Sequence, residues 1–535
     1  MGVALTQEEK AADAAWRPRS NPWMIAVVVT LAAFMEILDT TIVNVSLPHI
    51  AGTVSVSYDD ATWALTSYLV ANGIVLTISG WFSRVLGRKR YFLICIVMFT
   101  VCSLLCGLAN NLAELVIFRL AQGFFGGGLQ PSQQSIILDT FEPAKRGQAF
   151  SVVAIAVIFA PVIGPTLGGW ITDTYTWRWI FFINVPVGIL AFFAVLSMVE
   201  DPPWVQREHE RSSKRIDYIG VGLITLGLGC LQVMLDRGED ADWFGSSMIV
   251  TFAVLSAVGL IGAVAWLTWT DNPVVNLRVF KDRNFALGCV MIFGFGSILY
   301  SSNVIIPQLA QEQLGYTAEL AGLILSPGAI LIILLIPFVG RVLLPNVQTR
   351  FIIAFGFIVL GLSCLYARAN MVSDLSFNEL VLIRCAQTLG LAFLFVPNST
   401  MAYATLPKEL NGDGSALFVM LRNVSGAVGI SLAGALITER TQTHRAYLVD
   451  HLSDQSIAYQ HLLSQYKSGL LALGRAPATV AGQAEALVNR SLNTQAAFLG
   501  YMDVFMVIAV MAFLVVPLTF LFRPSKAGGG GPPAH

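Results

Sequence analysis

The chain has 535 residues, of which 12% are charged and 55% are hydrophobic, and its formal net charge is -1. Soluble proteins carry charge on about a quarter of their residues, so these charges are too few to coat several soluble domains. The near balance of acidic and basic residues also excludes a strongly basic nucleic-acid-binding surface. The composition indicates an integral membrane protein whose surroundings are the lipid bilayer, with no nucleic acid as partner.

The motifs of common enzymes and metal sites are missing from the sequence. All seven cysteines lie in apolar stretches without a CxxC pair, and there is no HExxH sequence and no Walker loop. This pattern favours neither a disulfide framework nor a zinc site nor a nucleotide-binding enzyme. We therefore expect no enzymatic activity, no catalytic residue, no metal and no cofactor.

Fourteen apolar stretches are long enough to cross a bilayer, which takes about 20 residues in a helix. The first stretch is too long for a signal-peptide core and contains acidic residues, so we expect it to be retained. An even number of spans places both termini on the same side. The predicted spans are 22–48, 61–83, 91–109, 112–136, 148–171, 178–199, 216–235, 247–269, 285–309, 319–341, 350–368, 379–404, 412–437 and 500–522.

The basic residues identify the cytoplasmic side of this topology. Of the 32 Lys and Arg residues, 21 fall in the two tails and in the connections that share their side. Only three fall in the short connections on the opposite side. Because Lys and Arg concentrate in cytoplasmic loops, we expect both termini to be cytoplasmic.

An internal repeat divides the chain. The segment ELVIFRLAQ at 114–122 recurs as ELVLIRCAQ at 379–387, with six of nine positions identical and an offset of 265. This offset predicts two six-helix halves of the same orientation, with a substrate site between them, as in two-halved transporters. The predicted regions are a tail (1–21), a first half (22–199), an insert (200–284) carrying the spans 216–235 and 247–269, a second half (285–522) and a tail (523–535).

Ionisable residues inside the spans are functional candidates, because a charge in the hydrocarbon zone costs a few kcal/mol or more. Glu36 and Asp39 share one face of the first helix, since they are three residues apart. With a rise of about 1.5 Å per residue, Asp39 lies about 12 Å and Arg119 about 10 Å from the outer surface. The two are level and can meet. A carboxylate that alternates between an arginine and a proton suits proton coupling, and the alternative is a static ion pair.

Glycines and prolines cluster in the fifth span, at Pro161, Gly164, Pro165, Gly168 and Gly169. The glycines form a face for close helix contact, whereas the two prolines each remove a backbone hydrogen bond and loosen the helix. Close packing alone accounts for the glycines but less well for the prolines. Polar and aromatic residues of other spans are candidates for a substrate cavity, and the alternative is that they only bond neighbouring helices. The candidates are Trp63, Tyr68, Gln122, Gln130, Gln134, Asn303, Arg384 and Asn398.

These motifs resemble the major facilitator superfamily, and within it the fourteen-span drug:proton antiporters of the EmrB/QacA type. The similarity runs from about residue 22 to 522 and is carried by four segments. They are LDTTIVNVSLP at 38–48, RLAQG at 119–123, PVIGPTLGG at 161–169 and WRWIFFINVP at 177–186. The resemblance implies an all-α major facilitator fold and a role for Arg119 in proton coupling. It also implies export, because the fifth-helix motif is a feature of exporters and not of symporters.

The connection after the second span matches the family loop only in part. Gly80, Gly87, Arg88 and Lys89 fit the loop, but Arg84 stands where the wider superfamily has an aspartate. We therefore expect the tight turn and the cytoplasmic anchoring. Arg84 cannot supply the acid that latches two helices elsewhere in the superfamily.

Residues 438–499 form the one sizeable hydrophilic stretch, on the outer side. Apolar residues at helical spacing on both sides of a Gly474–Pro477 break predict a helical hairpin with an apolar stripe. Two interpretations are open. The hairpin folds back on the protein, or it docks a periplasmic adaptor and an outer-membrane channel, as the resemblance to Gram-negative pumps implies.

The resemblance implies a proton-driven exporter of amphiphilic or toxic small molecules in a bacterial inner membrane, without a cofactor. We expect Asp39 to carry the proton, with Arg119 as its partner and Glu36 as the second candidate. One alternative is an exporter of a dedicated endogenous lipid or siderophore. Another is a membrane sensor that no longer transports, which has no need of Asp39, Arg119 and the fifth-helix motif together.

Overall fold

The computed structural model describes residues 9, 13, 15–211, 216–372, 374–450, 452 and 456–523. Within these residues the chain is helical and contains no strand, and fourteen helices are long and apolar enough to span a membrane. The predicted number of spans is confirmed. We label them α1 to α14: Pro22–Val54, Trp63–Leu86, Arg88–Leu108, Leu112–Thr140, Pro143–Thr174, Trp179–Met198, Tyr218–Arg237, Ser247–Trp269, Arg283–Glu312, Leu320–Asn346, Thr349–Ala369, Phe377–Ala402, Lys408–Val449 and Pro477–Thr519.

The contacts between helices follow the internal repeat. In the first half α1 packs on α5, α2 on α4 and α3 on α6. The same pairings recur eight helices later, as α9 with α13, α10 with α12 and α11 with α14. The halves meet through α2 with α13 and α5 with α10, which is also a symmetric pair of contacts. We propose that the two halves extend over 22–199 and 285–522.

Two spans that we predicted as single helices are broken near their middle. The break in α4 separates Leu112–Gly126 from Leu129–Thr140, and that in α12 separates Phe377–Ala392 from Phe395–Ala402. Consecutive glycines, which have low helix propensity, mark the first break. The second break has no glycine at it, so the local sequence did not predict that α12 is interrupted.

The helices of the predicted spans 412–437 and 500–522 extend into the hydrophilic stretch 438–499. Helix α13 continues to Val449, and α14 begins at Pro477. With a rise of about 1.5 Å per residue, these two helices are about 63 Å and about 65 Å long. Each is therefore about twice as long as the hydrocarbon core is thick. The hydrophilic composition reflects helices that leave the membrane, where polar side chains face water.

A helical hairpin lies at the end of this extension, as the apolar spacing predicted. Its first arm, the hairpin helix, is Ile457–Ala472, and its second arm is the start of α14. Gly474 turns the chain between them with a φ of 77°, a left-handed conformation that suits glycine. The stripe pairs one arm with the other, because Leu463, Ala484 and Val488 are buried together.

We call the side of the bundle where α1 begins and α14 ends the terminal face, and the opposite side the hairpin face. Glycines let α5 approach α1 closely in the half nearer the hairpin face. A Cβ added at Gly164 would overlap Thr41 Oγ1, and one at Gly168 would lie 2.7 Å from the Ile42 carbonyl oxygen. The repeat-related Gly429 of α13 meets the Ser297 carbonyl of α9 in the same way.

We expect Gly164→Ala to destabilise the protein by about 1–3 kcal/mol, because an extra methyl group overpacks a close helix contact. Gly169→Ala is the matched control in the same helix, since its Cβ would lie 3.7 Å from Val45, an ordinary contact. Thermal unfolding of the purified variants measures both. Equal midpoints for the two variants would contradict the close-contact role of Gly164.

Candidate functional site

The centre of the first half is an ion pair between α1 and α4. Arg119 Nη1 lies 2.5 Å from Asp39 Oδ2, and both side chains are 0% exposed. Their charges are therefore compensated inside the protein, as a buried pair requires. The structure brings together the two residues that the depth estimate placed at one level.

Neutral donors complete the shell of Asp39. Its Oδ1 accepts from Asn184 Nδ2 at 2.7 Å and from Gln122 Nε2 at 3.1 Å. Gln122 also accepts from Arg119 through its amide oxygen, at 2.9 Å. Asn184 was missed as a site residue, although it falls in the segment 177–186 and is a polar residue entering an apolar helix.

Helix α2 holds the other side of Arg119. The guanidinium Nε donates to the Ala64 carbonyl at 3.1 Å, and its carbon lies 4.1 Å from the centre of the Tyr68 ring. This aromatic face attracts the cation and adds to its stabilisation. Tyr68 therefore links the ion pair to Glu36, because its hydroxyl donates to Glu36 Oε1 at 3.2 Å.

Among the residues that the structure describes, every hydrogen-bond partner of Glu36 is a neutral side chain. Besides Tyr68, it accepts from Asn72 Nδ2 at 2.9 Å and from Gln130 Nε2 at 2.5 Å. Arg422 of α13 reaches Glu36 indirectly, because it donates to the Gln130 amide oxygen. This chain of contacts crosses from the first half to the second.

A cavity of about 390 Å³ lies between the halves, in the part of the bundle nearer the hairpin face. Glu36, Tyr68, Gln130 and Asn303 of the predicted set line it, as does Arg119. Asp39 does not appear on its wall. Of the two α1 carboxylates, Glu36 thus meets the cavity, while Asp39 lies behind it.

Five predicted cavity residues lie away from the wall. Trp63 is 42% exposed and stacks under Arg237 at 4.9 Å, and Asn398 donates to the Gly288 carbonyl at 3.0 Å. Gln122 belongs to the Asp39 shell. Gln134 and Arg384 are buried within the helices. Sequence alone does not distinguish these orientations, because each depends on the rotation of its helix.

The insert contributes a wall of the cavity, which the sequence did not reveal. Helix α7 packs on α2 and α13, the two helices at the interface of the halves. Thr66 donates to Asp236, and Ser431 donates to the Leu235 carbonyl at 2.7 Å. The lining residues from α7 and the connection after it are Gln232, Leu235, Asp236, Glu239 and Asp240.

Contacts at the terminal face close the cavity on that side. Arg84 of α2 pairs with Asp413 of α13, and a Cβ added at Gly80 would lie 2.9 Å from Asp413 Oδ1. The two halves are thus joined by an acid of the second half and a base of the first. Arg84 cannot act as the acid found at this position elsewhere in the superfamily. Here it is the basic partner of an ion pair that joins the two helices.

The basic loop motif anchors the same face. Arg88 pairs with Asp139, Lys89 Nζ donates to the Leu196 carbonyl at 2.8 Å, and Gly87 turns with a φ of 84°. The Lys89 backbone N–H donates to Asp201 at 2.9 Å. Burial raises the pKa of the Asp201 carboxyl above its ordinary value. Gly87 thus turns the chain between α2 and α3, and the basic residues beside it contact α4 and α6.

Comparison with known proteins agrees with this architecture. Residues 29–430 match the model of the Major Facilitator Superfamily. The chain belongs to the major facilitator superfamily. It is therefore a membrane transporter and not an enzyme, as predicted.

Relatives and solved structures extend this assignment. The chain is 35% identical to the multidrug export protein EmrB of Haemophilus influenzae, over 94% of this chain and 96% of that protein. It is 34% identical to the EmrB of Escherichia coli strain K12, over 96% and 98%. The solved proton:xylose symporter XylE shares the fold with a TM-score of 0.58 at 13% identity, over 95% of this chain and 97% of that chain. The predicted QacA/EmrB type is confirmed.

The Arg84–Asp413 pair predicts a non-additive pair of substitutions. Arg84→Gln and Asp413→Asn should each destabilise the protein by about 3 kcal/mol, because each leaves a largely buried charge without its partner. The double variant should lose less than the sum. Unfolding midpoints measure this, with exposed Lys145→Gln as a control that changes nothing. Additive losses would show that the two side chains act independently.

Proposed function

We propose that this transporter is a proton-coupled multidrug exporter, which expels amphiphilic compounds in exchange for protons. The observation that carries the proposal is the buried Asp39–Arg119 pair beside a cavity between the halves. The two EmrB relatives, each matched over nearly its whole length, support multidrug compounds as the substrates. The cavity wall supports an amphiphilic substrate, since it combines leucine and valine side chains with polar ones.

The ion pair provides a coupling mechanism. Ionised Asp39 accepts hydrogen bonds from three side chains, including that of Arg119. A proton on Asp39 removes the negative charge and one acceptor position, so Arg119 loses its counterion. Substrate binding that restores the pair must in turn release the proton. Inward movement of protons supplies ~2.3 kcal/mol per charge per 100 mV.

The terminal face is the cytoplasmic face in this proposal, which rests on the 21 basic residues of that side. The transporter then lies in a bacterial inner membrane with both termini in the cytoplasm. On this basis the structure corresponds to an outward-facing state, because the halves are joined at the terminal face by Arg84 and Asp413. In this state the substrate has left, and Asp39 awaits a proton.

Substituting the two α1 acids should separate proton transfer from substrate contact. We expect Asp39→Asn to abolish the proton release that follows addition of a substrate to the purified wild type, because the pair with Arg119 is lost. Glu36→Gln should weaken binding yet keep proton release, since Glu36 meets the cavity and forms no ion pair with a basic side chain among the described residues. A pH-sensitive dye measures both.

Asp173→Asn is the control, because this carboxylate is exposed on the hairpin face and should not alter proton release. Equal release from Asp39→Asn and the wild type would exclude Asp39 as the proton carrier. Loss of release from Glu36→Gln alone would assign that role to Glu36.

We propose further that the hairpin engages a periplasmic adaptor of an outer-membrane channel. The support is its length beyond the membrane and its self-contained packing. Its buried cluster consists of residues within 452–488. Arg445 Nε and Asn493 Oδ1, 2.8 Å apart, mark where α13 and α14 lie side by side below it.

Replacing residues 451–488 with a short Gly/Ser linker tests the adaptor. The linker joins the two helices just beyond the Arg445–Asn493 contact, so the membrane part should fold as before. We expect drug resistance of cells to fall to the level without the transporter, while proton-driven transport in liposomes stays within about twofold. Unchanged resistance of the cells would exclude the adaptor role.

A further inference from the structure

The second half contains a counterpart of the ion-pair site. The offset of 265 relates Arg119 and Gln122 of α4 to Arg384 and Gln387 of α12. Helix α9 takes the place of α1, because it packs in the second half as α1 does in the first. From α9, Ser302 accepts from Arg384 Nη1 at 3.1 Å, and the Asn303 amide oxygen accepts from Nη2.

The two copies differ in charge. In the first copy the arginine faces the carboxylate of Asp39, and in the second it faces the neutral amide of Asn303. Among the residues that the structure describes, no carboxylate lies within 4.0 Å of the Arg384 guanidinium nitrogens. Arg384 is nevertheless 1% exposed. A buried cation without a counterion is costly unless something supplies the missing charge.

Among the residues that the structure describes, several polar atoms of Arg384 and its neighbours have no hydrogen-bond partner. They include the Nε of Arg384 itself and the Nδ2 of Asn303, which are both donors. The hydroxyl of Thr388, one helical turn after Arg384, also has none, and Thr388 is 0% exposed. Buried polar groups are normally satisfied, so this cluster is prepared for a further group. Most of the unused capacity consists of donors, which suits an anion.

The cavity gives access to this cluster through Asn303, which lines its wall. The acidic lining residues come from α1, α7 and the connection after α7. The described lining residues of α9 and α13 include no acid, and the buried cations Arg384 and Arg422 contact that wall through Asn303 and Gln130. Arg384 and Arg422 therefore place positive charge behind the wall that the second half contributes.

We propose that the Arg384 cluster binds an anionic group, with carboxylate as the preferred chemistry, in the place that Asp39 occupies in the first half. The planar guanidinium and a carboxylate match in geometry and form two parallel hydrogen bonds. The anion displaces the Asn303 amide from Arg384 and takes up the free donors. Its source is the acid group of an amphiphilic substrate or a small inorganic anion. The substrate form rests on the proposed export function.

Binding of a matched pair of amphiphiles tests this site. Dodecanoate and dodecanamide share one chain and differ in charge, and calorimetry in lipid nanodiscs measures their affinities. We expect the wild type to prefer dodecanoate at least tenfold. Asn303→Asp supplies an internal carboxylate to Arg384, so the affinity for dodecanoate should fall until this preference vanishes. Asn303→Gln, which keeps the neutral amide, is the control and should retain most of the preference.

Arg384→Gln should also lose the preference, and Asn303→Asp keeps the test valid if Arg384→Gln fails to fold. Replacing chloride by methanesulfonate, which has no carboxylate, identifies an inorganic source. A chloride-dependent unfolding midpoint that disappears in Asn303→Asp assigns the site to a small anion. If the wild type shows no preference for dodecanoate and no chloride effect, the proposal is overturned. Asp39→Asn should keep the preference, so failure of proton coupling and failure of this site are distinguishable.

Discussion

The buried ion pair between Asp39 and Arg119 is the constraint around which the first half is arranged. Removing two charges from water is costly, so each must be matched by the other and by further hydrogen bonds. Gln122 and Asn184 supply these bonds from α4 and α6, and the Tyr68 ring covers the guanidinium from α2. Four helices thus converge on this ion pair. A change in the charge of Asp39 therefore affects helices that also form the cavity wall.

The rest of the bundle positions this pair between a closed face and a cavity. Glycines bring α5 against α1, and the Arg84–Asp413 pair joins the halves at the terminal face. In that pair the base belongs to the first half and the acid to the second. The insert contributes to the cavity wall, because α7 packs on both α2 and α13.

Much of the fold follows from the sequence, because span number and the repeat depend on hydropathy and residue identity along the chain. The approach of Asp39 to Arg119 was also predictable, since depth in a membrane can be counted along each helix. The role of Asn184, the wall formed by α7 and the orientation of Arg384 were not. These depend on helix rotation and on contacts between distant segments. The hairpin was foreseen, but its helical continuity with α13 and α14 was not, because polar helices outside a membrane resemble loops in hydropathy.

We propose that Asp39 alternates between an ionised form paired with Arg119 and a protonated form without that pair. Infrared difference spectra of the transporter in lipid, recorded as substrate is added, observe the protonated carboxyl group directly. The account predicts that the wild type loses a protonated-carboxyl absorption on substrate binding, and that this loss is absent from Asp39→Asn but present in Glu36→Gln. A loss that persists in Asp39→Asn would contradict the account.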